Sequence, residues 1–251
     1  MSDATEHREL LAAMLNMTAA HREHEKYYSA SPREQAVVLQ RHSRTLHALA
    51  DRWMTVAPDT ADHLSPYEGA EDLNASAATQ LDGVLFMEGE SEPAEIAHLK
   101  RDLRTCADDS VAAGEWLRTA MDSSWAVAAV LLDIDDLADL LGERHRIIAN
   151  NWQGASVVGL AGRILGRAAD LLDRIDFAPS ALRSDLGRRR ISVARMFSAA
   201  EMIDHASDLL SDFAGVVHDN ERRWRVFRAR VQQIIASLPE AESRDNTSPA
   251  S

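Results

Sequence analysis

The sequence predicts an all-α protein, and three observations support this fold class. Apolar side chains recur at alternating steps of three and four residues along most of the 251-residue chain, which is the spacing of one helix face. No segment alternates apolar and polar residues as a half-buried strand does. Aromatic residues make up only 5% of the chain, which argues against β-sandwiches and β-barrels. We therefore expect an up-and-down bundle of about six or seven helices.

Residues 1–57 predict a long antiparallel helical hairpin. A heptad-like seam defines a first helix over residues 4–29. A second helix is expected to begin at Ser31, because Ser31-Pro32-Arg33-Glu34 combines an N-cap serine, a first-turn proline and the glutamate of a capping box. Pro58 is expected to end it. The connection of two or three residues makes the two helices fold back on each other.

Residues 58–91 predict an acidic, irregular connection that contains one short helix near residues 71–87. Between Trp53 and Leu99 the chain has ten acidic residues and no lysine or arginine. Prolines and glycines interrupt the segment, and one apolar patch over residues 81–87 supports the short helix.

Helical periodicity resumes at Ser91 and predicts the main bundle over residues 92–238. A helix from Ser91 is expected to reach Gly142 as its C-cap, with 122–124 as a point where it breaks or bends. Further helices are expected over residues 143–176, 180–186, 188–217 and 219–238. Residues 239–251 are polar and predict a disordered tail.

Charge and composition exclude several classes of protein. The formal net charge is −13, so indiscriminate nucleic-acid binding is disfavoured by repulsion between polyanions. One cysteine excludes an internal disulfide framework. No apolar run reaches the roughly 18 residues that a membrane-spanning helix needs. The polar N-terminus and the strong preference for arginine over lysine predict a cytoplasmic bacterial protein without a membrane partner.

Histidines on the seam of the predicted hairpin suggest a metal site. His21, His24 and His42 are expected on inward-facing positions, with Glu25 beside them. Imidazole and carboxylate ligands suit Zn, Fe or Mn inside a helical bundle. Glu95 and His98 resemble the carboxylate–histidine unit of ferritin-like proteins, which use two such units where this chain has one. The preferred interpretation is a layer of hydrogen-bonded histidines that sets helix register, without a cofactor.

A second acidic motif, Asp135-Asp136-Leu137-Ala138-Asp139, resembles the DDxxD motif of class I terpenoid and prenyl diphosphate synthases. That resemblance implies a Mg²⁺-dependent, diphosphate-binding enzyme. The family's second metal-binding element is incomplete, because Ser207 stands where asparagine or aspartate is required and Gly215 where glutamate is required. The preferred interpretation is a solvated acidic face on an amphipathic helix.

Arginines are concentrated in the second half of the chain. Residues 1–142 carry a net charge of −15, whereas residues 143–251 carry +2. One cluster lies around residues 183–195, and a second decorates the predicted last helix at Arg222, Arg223, Trp224, Phe227 and Arg228. Arginine combined with aromatic residues is typical of protein interfaces and also suits phosphate binding. The alternative is that these arginines form ion pairs with acidic residues from the first half of the chain.

These patterns predict a helical scaffold, adaptor or regulatory protein that acts by protein–protein interaction, with a protein partner or a second copy of itself. Small residues at many seam positions favour a homo-oligomer. A metal-binding bundle is the first alternative, and a diphosphate-binding enzyme is the second. No catalytic residue is assigned.

Overall fold

The computed structural model describes residues 8–9, 11–13, 15, 26–56, 92, 94–131, 138–177 and 186–237. Within these ranges it contains four long helices and no strand, so the predicted all-α class is confirmed. The helices are α1 Pro32–Val56, α2 Ala94–Leu131, α3 Ala138–Asp173 and α4 Leu186–Ser237. None of them has a stretch both long and apolar enough to cross a bilayer.

The beginning of α1 matches the capping box that the sequence predicts. The Glu34 backbone N–H donates to the Ser31 hydroxyl at 3.3 Å, and the Ser31 backbone N–H donates to Glu34 Oε2 at 2.9 Å. The Ser31 hydroxyl also donates to Glu34 Oε2, at 2.7 Å. These bonds partner N–H groups that the first turn of a helix leaves without intrahelical acceptors.

The chain divides into two compact units. The first unit comprises Met1–His24, Trp116–Ala155 and Gly215–Ser251, and the second comprises Glu25–Glu115 and Ser156–Ala214. α1 belongs wholly to the second unit, whereas α2, α3 and α4 contribute residues to both.

In the second unit, α1 and α2 are antiparallel neighbours. Gln35 donates to Asp109 at 3.0 Å, and about two turns later on α1 the His42 Nε2 lies 2.9 Å from Asp102 Oδ2. Residue numbers rise along α1 as those of its partners on α2 fall. Asp109 also accepts from the Ser29 backbone N–H and hydroxyl, so this carboxylate ties the chain before α1 to α2.

The remaining neighbours in the second unit are antiparallel as well. On α2 and α3, Arg104 pairs with Asp173 and Ala107 contacts Gly162. On α1 and α4, the buried Ser207 hydroxyl donates to the Ala36 carbonyl at 2.9 Å, and His47 lies 3.6 Å from Asp204. The four helices therefore alternate in direction around one core, whose largest fully buried side chains include Trp53, Phe177, Phe213, Leu39, Leu46 and Leu103.

The first unit has its own apolar core. Its buried cluster contains Leu11, Leu140, Ile147, Trp224, Phe227 and Val231. The predicted hairpin is not confirmed: Leu11 belongs to this cluster of the first unit, whereas α1 belongs to the second unit. Most of the predicted first helix lies outside the described residues, as do the acidic connection from residue 57 to 91, the short helix over 180–186 and the tail.

Two predicted helix boundaries are wrong. Gly142 lies inside α3 and not at the end of the preceding helix. The predicted break between residues 217 and 219 is absent, and α4 runs unbroken for 52 residues. Asn220 lies within this continuous stretch, and its buried amide donates to Asn151 Oδ1 at 2.7 Å and accepts from Asn150 at 3.0 Å. These bonds anchor a residue of weak helix propensity against α3.

Gly162 allows α3 to approach α2 closely. A Cβ atom at this position would lie 2.8 Å from the Ala107 carbonyl oxygen and 2.9 Å from Val111 Cγ2. A backbone oxygen cannot move away without displacing the helix that carries it. Gly166, one turn further along the same helix, has no such neighbour within 4 Å.

We expect Gly162→Ala to destabilise the protein by about 1–3 kcal/mol, because the overpacking penalty exceeds the helix-propensity gain of about 1 kcal/mol. Gly166→Ala is the matched control and should be neutral or stabilising by up to about 1 kcal/mol. Urea denaturation followed by circular dichroism measures both. Equal stability of the two variants would contradict the close approach.

Ser31→Ala should remove the cap of α1 and destabilise the protein by about 0.5–2 kcal/mol. The hydrogen bonds from Ser31 lower the pKa of Glu34 below its ordinary value of 4.5. The stabilisation from this carboxylate is therefore present above that value and lost as the pH falls through the lowered pKa. An NMR titration of the Glu34 carboxyl should show its midpoint rising in Ser31→Ala, and an unchanged midpoint would contradict the capping box.

Candidate functional site

An open pocket in the second unit lies where α3 ends and α4 begins. Its volume is about 330 Å³. Because α3 and α4 are consecutive antiparallel helices, the end of one comes beside the start of the other. The lining residues are Arg174, Asp176, Arg188, Arg189, Ile191, Ser192 and Arg195.

Positive charge dominates this pocket. Four of the seven lining side chains are arginines, and Asp176 is the single carboxylate among them. The first turn of α4 adds the positive end of the helix macrodipole and contains no acidic residue. Among the described lining residues, arginine therefore outnumbers aspartate by four to one.

The packing of two lining residues shows that the pocket is built into the fold. Arg189 is only 6% exposed, and burial lowers the pKa of its guanidinium. Arg195 donates from Nη1 to the Arg174 carbonyl oxygen at 2.6 Å, which joins α4 to the end of α3. Ser192 is buried beside them and adds a hydroxyl.

Part of this site is evident from the sequence, which shows the arginine cluster around residues 183–195 with Arg188, Arg189 and Arg195. Arg174 and Asp176 were not predicted, and they precede α4 by twelve and ten residues. Their proximity to α4 depends on how the chain turns between the two helices, and no motif indicates it.

The predicted contact surface around Arg222 and Arg228 differs from what the structure shows. Trp224 and Phe227 are 5% and 1% exposed and belong to the core of the first unit, so they do not form an exposed aromatic contact surface. The nearby arginines make local contacts. Arg222 donates to Asp219, Arg223 pairs with Asp219 and Glu143, and the Arg228 guanidinium lies 5.2 Å from the Trp224 ring centroid.

The predicted histidine site is described only in part. His42 lies on α1 and shares Asp102 Oδ2 with His98 of α2, whose Nε2 is 3.4 Å away. Arg101 donates to His98 Nδ1 at 2.6 Å. The hydrogen bond between His42 and Asp102 joins α1 to α2, whereas His98 lies on the same helix as Asp102. The predicted layer of His21, His24 and His42 stays a prediction, because His21 and His24 lie outside the described residues.

The described part of the chain shows no assembled set of metal ligands. His21, His24 and Glu25 lie outside the described residues. Within those residues, no group of three or more histidine, cysteine or acidic side chains is arranged to hold a metal ion. The site for Zn, Fe or Mn therefore stays a prediction.

The diphosphate-binding motif is likewise described only in part. Asp135 and Asp136 lie outside the described residues. Asp139 lies in the first turn of α3 and is well exposed. Its carboxylate forms an ion pair with Arg230 at 3.6 Å. Ser207, from the second element of the resemblance, is buried and bonded to α1, so its hydroxyl serves helix packing.

No protein-family model matches this chain, and neither the curated proteins nor the solved structures contain a match.

Cys106, the single cysteine, is buried on α2. Burial, together with the charges of Asp109 and Asp102, raises the pKa of its thiol to about 12. Because the thiolate is the reactive form, we expect native protein at pH 8 to react with a thiol reagent at least about 100-fold more slowly than unfolded protein. A disulfide-exchange dye measures both rates, and rapid stoichiometric labelling of the native protein would contradict this burial.

Proposed function

We propose that this chain acts by binding, as a cytoplasmic helical scaffold, adaptor or regulatory protein. Its contact site is the arginine-lined pocket between the end of α3 and the start of α4. The observation that supports this most directly is the convergence of Arg174, Arg188, Arg189 and Arg195 on one cavity. The partner presents an acidic protein segment.

The chemistry of the pocket suits a protein segment. Guanidinium groups hold carboxylates through paired N–H donors, and arginine is enriched at protein interfaces. Ile191 is 53% exposed at the same pocket and offers an apolar contact beside the charged groups. A peptide with an acidic and an apolar side chain can use both.

The chain itself contains a segment with this chemistry. Residues 54–98 hold ten acidic residues and no lysine or arginine, together with the apolar run Val84-Leu85-Phe86-Met87. A second copy of the chain can therefore supply the acidic segment, which makes self-association one form of the proposed interaction. Another protein with a similar segment is the other form.

A peptide covering residues 59–92 tests the proposal. We expect it to bind the full chain, and the double variant Arg188→Gln/Arg195→Gln to weaken binding about tenfold or more, since two charge-assisted contacts are removed. The matched control is Arg222→Gln/Arg225→Gln, which removes two exposed arginines of the same helix outside the pocket. Fluorescence anisotropy at constant ionic strength measures the three affinities.

The control variant should bind within about twofold of the unmodified protein. A peptide whose acidic residues are replaced by asparagine and glutamine should bind at least tenfold more weakly. Equal affinity of the pocket variant and the control variant would contradict the proposed contact site. Light scattering of the full chain then shows whether the same two substitutions reduce its oligomeric mass.

A further inference from the structure

Both ends of the acidic connection lie at one end of the second unit. α1 ends at Val56, and Glu92 precedes the start of α2. Because α1 and α2 are antiparallel, the end of α1 comes beside the start of α2. The chain therefore leaves the bundle after Val56 and rejoins it at Glu92 on the same side of the unit.

The arginine-lined pocket lies at that same end. Trp53, in the last turn of α1, packs edge-on against Phe177, with the ring centroids 5.9 Å apart. Phe177 directly follows Asp176 of the pocket lining. Glu92 forms an ion pair with Lys100, whose Nζ lies 5.3 Å from the centroid of the Phe177 ring. Phe177 is thus a common neighbour that brings both ends of the connection close to the pocket.

We propose that the arginine-lined pocket of the free protein is occupied in cis by the acidic segment 68–72 of the same chain. This inference rests on the proposed function, because it concerns the same pocket and the same kind of ligand. It adds that the first acidic segment to reach the pocket belongs to the chain itself. An outside partner then binds by displacing this segment.

The composition of the connection is complementary to the pocket. Residues 57–91 contain eight acidic residues and no lysine or arginine. Three of these acids lie close together at Glu68, Glu71 and Asp72, and Leu73 follows them. Carboxylates are good acceptors for guanidinium groups, and the 53% exposed Ile191 of the lining offers an apolar contact for Leu73.

Two lining arginines supply the donors for this contact. Among the described residues, the guanidinium of the exposed Arg174 makes no hydrogen bond or ion pair. Arg195 uses Nη1 for the Arg174 carbonyl oxygen, and a guanidinium has five N–H donors in all. Arg188 and Arg189 take part in further interactions, so the contact is assigned to Arg174 and Arg195.

Connectivity favours the segment of the same chain over that of a second copy. Fourteen residues separate Val56 from Ala70, at the centre of the acidic group, and twenty-two separate Ala70 from Glu92. Fully extended, the shorter arm reaches roughly 46–50 Å. A short tether gives an effective concentration on the order of 1 mM, about a thousandfold above a protein concentration of about 1 μM.

Disulfide cross-linking in the full chain tests this proposal. All variants carry Cys106→Ala, so that the introduced cysteines are the only thiols. The test pair combines Ala70→Cys with Ala194→Cys, an exposed position of α4 beside the lining residue Arg195. The control pair combines Ala70→Cys with Ala97→Cys, an exposed position near the start of α2 at the same end of the unit. At about 1 μM protein, we expect an intramolecular disulfide to form at least about tenfold faster in the test pair.

Substitutions in the pocket show whether its arginines cause this difference. Arg174→Gln/Arg195→Gln should lower the rate of the test pair to that of the control pair, because the charge-assisted contacts are removed. Arg163→Gln/Arg167→Gln replaces two exposed arginines of α3 outside the pocket and should leave the rate within about twofold. Titration of free thiols gives the rates, and non-reducing electrophoresis shows whether the product is a monomer.

The outcomes separate this inference from the proposed function. Equal rates for the two pairs, or a test-pair rate that the pocket substitutions leave unchanged, overturn occupancy in cis. A disulfide that forms only in dimers also overturns it, while supporting self-association through the same pocket. If the separate peptide over residues 59–92 binds the full chain but the two pairs react equally, the proposed function stands and the inference fails. If the peptide does not bind and the pairs react equally, both fail.

Discussion

Close antiparallel packing of helices is the constraint on which the second unit depends. α2 and α3 approach so closely at Gly162 that even a methyl group would meet the Ala107 carbonyl. Small residues elsewhere in the same core, including Ala50, Ala113, Ala161, Ala200 and Ala206, are almost completely buried. Interiors packed at this density transmit small displacements from one helix to the next. The position of the pocket follows from the same packing, because an antiparallel α3 and α4 bring the end of one beside the start of the other.

Polar side chains set the register of these helices where apolar contacts alone allow sliding. Asp109 and Asp102 are seven residues apart on α2 and bond to residues before and along α1. Ser207 bonds to the Ala36 carbonyl, and in the first unit Asn220 bonds to α3. A buried polar atom that loses its partner destabilises a fold by about 1–3 kcal/mol, so shifts in register are disfavoured. The His42–Asp102 hydrogen bond fits this role.

Acidic residues and arginines are unevenly distributed along the chain, and the proposed binding function depends on this distribution. Acidic residues dominate positions 1–142, and arginine offsets them later in the chain. Around α4 of the first unit, Arg222, Arg223 and Arg230 lie in ion pairs with nearby carboxylates. In the pocket of the second unit, the lining arginines outnumber the single lining carboxylate. This concentration of arginine is the feature that supports the proposed contact with an acidic partner.

Features that depend on residues a few positions apart, such as helix class and helix caps, can be read from the sequence alone. Periodicity determined the all-α class, and the Ser31 to Glu34 capping box determined where α1 begins. Three features become visible only in the folded chain. α4 continues past His218, and Trp224 and Phe227 are core residues. Arg174 lines the same pocket as Arg188, Arg189 and Arg195. Caps and helix faces are encoded within a few residues, so a sequence shows them directly. Contacts such as Asn220 with Asn151 join positions about 70 residues apart and depend on which helix faces pack together, which local patterns do not specify.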